Sequence, residues 1–134
     1  MDNFDYTDYI LRYDILHNTN TIFANGAFKA DDGRTVPIVS IQDGHEWYNP
    51  STYLGHATLE HREDGMVAMC KFTDHDAGKI AKELVVDTKE MGLSIYAGGI
   101  SYETDAVPIK KVLRGTICAV IVVSMDRMPR PVKE

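Results

Sequence analysis

"TICAVIVVS" (residues 116–124) places seven apolar residues in nine, with no polar residue interrupting the run. A strand with one wet face alternates apolar and polar side chains, whereas a strand covered on both faces reads as a continuous β-branched stretch. The stretch is therefore expected to be a central strand, buried against the interior of a sheet on one side and against a covering helix on the other. Its neighbours read as further strands. "VPIKKVL" (107–113) precedes it as a separate strand, and the polar "SYETDA" (101–106) separates that from "LSIYAGGI" (93–100). Gly92 is expected to end a helix in a left-handed conformation, so that a strand begins at Leu93.

Further toward the N-terminus the alternation of Tyr9, Leu11, Tyr13 and Ile15 in "YILRYDIL" (9–16) marks a first strand. "VPIVSIQ" (36–42), "YLGHATLEHR" (53–62) and "MVAMCKF" (66–72) are the next, and "REDG" (62–65) joins the last two as a tight hairpin whose Asp-Gly suits positive φ. One helix is expected over about 76–91, capped by Asp74 or Asp76, with Ile80 and Leu84 on its buried stripe. The fold class is α+β, mainly β: a small mixed β-barrel of six to seven strands with one or two flanking helices. A single domain spans 1–129. "MDRMPRPVKE" (125–134) is proline-broken and charged, so residues 130–134 are expected to start a flexible tail.

The chain has 134 residues, 44% of them apolar, which suffices for one real core. A formal net charge of −6 argues against a phosphate-neutralising surface and hence against nucleic acid as a partner. No apolar run approaches the roughly 20 residues of a membrane-spanning helix, and the acidic "MDNFDYTDY" lacks the apolar centre of a signal peptide. Cys70 and Cys118 share no motif, so a soluble chain in a reducing, intracellular compartment is expected.

Metal chemistry needs convergent ligands. Of His17, His45, His56, His61 and His75, only His56 and His61 in "HATLEH" approach a pair, and five residues apart on a strand they face opposite sides. No metal and no cofactor is expected, since glycine-rich nucleotide loops and the GxSxG elbow are also absent. What stands out is Ser94, a hydroxyl residue in "LSIYA" where a strand would favour a β-branched or aromatic side chain.

The order of "TIFANGAF" (21–28), "VPIV" (36–39), "DGH" (43–45), "YLGHATLEHREDGMVA" (53–68), "KFTD" (71–74), a helix, "LSIYA" (93–97) and "GTICAVIVV" (115–123) resembles the prohead (capsid-maturation) protease family of tailed bacteriophages. The resemblance spans about residues 10–129. It implies the fold of the herpesvirus assembly protease and a serine endopeptidase that cleaves scaffold and major capsid protein extensions during phage head maturation. The setting it implies is the host cytoplasm, inside the procapsid, with the chain as a homo-oligomer. Ser94 matches the nucleophile and His45 in "QDGHEW" the general base. Relatives carry a glutamate in the late strand as a plausible third member, and Ala119 stands at that position here.

Such a site has physical requirements of its own. Serine attacks only when a base within roughly 2.6–3.2 Å takes its proton, and a third group must hold the imidazole. Glu60, His61 and Asp43 are the other candidates for that third group. Arg114 and Gly98, with Gly99, are candidates for the oxyanion hole, which needs donors aimed at the developing charge. The alternative reading is a catalytically degenerate relative that serves as a capsid assembly or scaffold-binding module.

Overall fold

The computed structural model describes residues 4–18, 20–40, 53–103, 110–125, 128 and 130–131. In chain order it has strands β1 (Tyr6–Arg12), β2 (Thr21–Phe23), β3 (Thr35–Ser40), β4 (Tyr53–Arg62) and β5 (Gly65–Phe72), helix α1 (Asp76–Lys82), and strands β6 (Met91–Glu103) and β7 (Lys110–Ser124). The sheet runs β1-β5-β4-β3-β7-β2, and β6 lies on the other edge of β7. It mixes parallel and antiparallel pairs and curls into a half-barrel, the expected α+β, mainly β architecture.

β7 organises this sheet. The segments read as two strands, 107–113 and 116–124, belong to one strand that is unbroken from Lys110 to Ser124. Register shifts along the β6–β7 ladder, between Tyr96 and Ala97 and again between Gly98 and Tyr102, absorb the curvature that a break in β7 would otherwise supply. The apolar run is central and buried as expected, Ile117, Ala119 and Val120 being fully covered. Ile117, Val120 and Val122 join the main core, while Ala119 and Ile121 form a second cluster with Val39. The helix expected to cover the run packs mainly on β4 and β5 instead, and the second cluster on β7 includes no helical residue.

On its other edge β7 pairs in parallel with β2 through 110–112 and with β3 through 120–122. Between them lies a gap, filled by the turn Lys29–Asp31. Buried Asp31 accepts the Ile117 N–H through Oδ2 at 2.9 Å and is ion-paired with Arg34, which donates to the Ile117 carbonyl at 3.0 Å. Two side chains thus replace a missing strand, satisfying backbone groups that burial would otherwise orphan.

The β4–β5 hairpin joins Arg62 to Gly65 through Glu63 and Asp64 as expected, but neither Asp64 nor Gly65 has positive φ. Gly65 is needed for close approach instead, because a Cβ there would strike the Leu11 carbonyl of β1. The helix also departs from expectation. It is short, α1 continuing as a π-helical turn Glu83–Asp87, and His75 rather than an aspartate occupies its N-cap, with no side-chain capping bond. Ile80 is 57% exposed, and Gly78, Ala81 and Val85 form the buried face. That face packs on β4 and β5, with the π turn against β6, so small residues allow an approach that the larger Ile80 would prevent.

Gly92 does not end the helix. Positive φ falls on Lys89, and Gly92 is already within β6, beneath the thioethers of Met125 and Met128. The segment expected to leave as a tail therefore crosses the start of β6. It then reaches Asn18, whose backbone N–H donates to the Arg130 carbonyl at 3.0 Å and whose Oδ1 accepts the Arg130 N–H at 3.1 Å. Pro131 bridges His17. Among the described residues no helix is long and apolar enough to cross a membrane.

Candidate functional site

Ser94 pairs with Ile121 across the β6–β7 ladder, and Tyr96 pairs with Ala119. Cross-strand partners share a face, so Ser94 and Tyr96 lie with Ala119, Ile121 and Val39, opposite the face on which Leu93 and Val120 enter the main core. The Ser94 side chain is half-buried, and no described residue hydrogen-bonds its hydroxyl. Ala119 thus occupies Ser94's own face, two residue pairs further along the ladder.

His45 and Asp43 lie outside the described residues. The two positions that bracket them are placed: Ser40 at the end of β3 pairs with Val122, and Val39 pairs with both Ile121 and Tyr53, where β4 begins. One row across the sheet therefore runs Ser94, Ile121, Val39, Tyr53. With strands roughly 4.8 Å apart, β3 is about 10 Å from β6.

The other candidates are not brought to Ser94. Glu60 and His61 are seven and eight residues along β4 from Tyr53, roughly 23–26 Å of strand. Glu60 is ion-paired with Arg62 at 2.6 Å, and the His61 Nδ1 is 2.9 Å from the Tyr13 hydroxyl. His56 is exposed on the opposite face from His61. Arg114 pairs with Ser101 and lies seven residues, again roughly 23 Å, from Ile121 along β7. Gly98 pairs with Thr116, about 13 Å along β6 from Ser94. Neither can reach an oxyanion formed at Ser94; an extended chain separates residues that sequence proximity seems to join.

His17 has a structural position that residue type alone could not signal. It is 1% exposed, its Nε2 accepts the Arg12 N–H at 3.2 Å, and its Nδ1–H is shared between the Ile15 and Thr21 carbonyls at 3.0 and 3.3 Å. Burial lowers its pKa, opposed in part by those carbonyls. The ring is a neutral joint between β1, β2 and the C-terminal segment. Among the described residues no three His, Cys, Asp or Glu converge as a metal site requires.

Comparison of the chain with protein-family models, with curated proteins and with solved structures finds no match.

Proposed function

We propose that the protein is a serine endopeptidase of the prohead-protease type, with Ser94 as nucleophile and His45 as general base, acting on scaffold and capsid-protein extensions inside a phage procapsid. The observation that supports the reading is the row Ser94, Ile121, Val39, Tyr53, in which Ser94 shares a face with the strand ends that flank residues 41–52. His45 is five residues beyond Ser40, an extended reach of up to about 17 Å against the roughly 10 Å between β3 and β6. Chain length therefore permits the imidazole to meet the hydroxyl. With Ala119 in place of the family's glutamate, the imidazolium formed during attack lacks an anionic partner there, so a slow enzyme is expected, by up to about 10⁴ relative to a complete triad.

A fluorophosphonate probe tests the assignment on the intact chain. Labelling of the wild type between pH 6 and 9 should vanish in Ser94→Ala and fall by about 100-fold or more in His45→Gln, the usual worth of a general base. A folded wild type that takes no label at any of these pH values would overturn it.

The second reading, a non-catalytic assembly or scaffold-binding module, draws on one specific observation. Fully buried Ala119 and nearly buried Ile121 make the surroundings of Ser94 apolar where a charge relay would need an acid. A fold retained for docking, with its chemistry lost, would look the same on that face.

A further inference from the structure

At the opposite end of the β6–β7 hairpin from Ser94, a cleft of about 550 Å³ opens between the turn preceding β3 and the irregular part of the hairpin. Gly26, Lys29, Gly99, Arg114, Gly115 and Thr116 line it, with two alanines completing the wall. Among the described residues no acidic side chain does. Lys29 and Arg114 are both exposed, and among the described residues neither has an ion pair or a side-chain hydrogen bond. The chain carries 20 acidic against 14 basic side chains, so counter-charges are plentiful elsewhere on its surface. Two cations facing one concavity without an anion repel each other, and a cleft lined by one sign of charge concentrates its field.

The floor is built for close approach. Gly26 and Gly99 have φ of +77° and +58°, and nothing lies within 4 Å of where their Cβ atoms would be. Glycine is required there by conformation, and its bare backbone leaves the space above open. The guanidinium of Arg114 offers a planar fork suited to two oxygens of one anion, Lys29 offers a compact second charge, and Thr116 lines the same cleft.

From this arrangement we infer a second site, independent of Ser94, that binds a phosphate group. The volume suits a small ligand up to about nucleotide size. The phosphate can be inorganic or the phosphoryl group of an organic molecule; the recognition chemistry is the same, a multiply charged oxyanion held between a guanidinium and an ammonium.

Calorimetric titration of the full chain with sodium pyrophosphate, inorganic phosphate and adenosine monophosphate, at constant ionic strength and pH 7.5, tests the inference. Pyrophosphate should bind with a Kd of about 1 mM or tighter. Arg114→Gln should weaken binding at least about tenfold, and the double variant with Lys29→Gln should abolish it, because a charge-assisted bond is worth roughly that factor or more. Lys79→Gln, which removes an exposed cation from α1, should leave binding unchanged. Both cleft positions are exposed, so the variants should melt with the wild type. Tighter binding of the nucleotide than of inorganic phosphate would support an organic ligand, and equal binding a free one. Absence of heat with every anion at 5 mM, or an equal loss in Lys79→Gln and Arg114→Gln, would overturn the site.

Discussion

The two faces of β7 are equally apolar in sequence and differ in what they serve. Ile117, Val120 and Val122 join a core that draws on every strand and on α1. Ala119 and Ile121 sit with Val39 in a small cluster beside half-buried Ser94 and 40%-exposed Tyr96. Hydropathy cannot separate these faces. The pairing can, because it shows which partners each side chain meets: Val120 lies between Ile38 and Ile95, whereas Ile121 lies between Val39 and Ser94. The first face holds the fold together, and the second is where a polar group is tolerated in the sheet.

The largest effect should come from breaking the first face. Val120→Asp places a carboxylate at a fully buried position with no partner, at several kcal/mol against a total stability of roughly 5–15, and should leave the chain unfolded by circular dichroism. A soluble variant that melts with the wild type would refute the distinction drawn here. Next comes the clamp that fixes Ile117. Asp31→Ala removes the acceptor of a buried N–H and the partner of Arg34, and should lower stability by about 3 kcal/mol in urea titrations, with Asp31→Asn intermediate.

The same acid placed on the second face sharpens the contrast. Ala119→Glu should cost about 2 kcal/mol, less than Val120→Asp, because its longer stem can carry the carboxylate toward exposed Tyr96. If the protease assignment holds, the folded variant should also label at least about tenfold faster with fluorophosphonate, a barrier change of about 1.4 kcal/mol.

The smallest effect is a pH dependence. Folding holds His17 neutral with a lowered pKa, while the unfolded chain takes up its proton near the ordinary value of about 6.5. The unfolded state thus binds more protons below that value. The His17 contribution is full above about pH 6.5 and is lost as pH falls toward the folded pKa. Melting temperature should drop between pH 7 and 5, with a shallower slope in His17→Gln; parallel slopes would exclude His17 as the cause.

Much of this fold is legible in the sequence where alternation is clean. β4 has the expected bounds, and β3 and β5 lie within one or two residues of theirs, because each has one face on the core and register fixes which residues face inward. Three of the misread features share one physical origin: small residues admit close neighbours, and a sequence does not name the neighbour. Gly65 admits β1, Gly92 admits Met125 and Met128, and Gly78 with Ala81 makes the helix face that larger Ile80 was expected to make. At the candidate site, Ser94 stands out by being polar in an apolar strand. The positions of Arg114, Gly98, Glu60 and His61 were hidden, since the distance between residues on long strands depends on register and length rather than on residue type.

The contact over Gly92 has a chemical consequence. Met125 and Met128 press two sulfur atoms onto a spot with no room even for a methyl group, and the same segment then ties down His17 and Asn18. Thioethers suit such a joint because they are unbranched and polarizable, yet each is one oxygen atom away from a bulkier, polar sulfoxide. Peroxide should therefore act on this molecule first as a crowbar at the foot of β6, two residues from Ser94, and methionine sulfoxide reductase should let the joint close again.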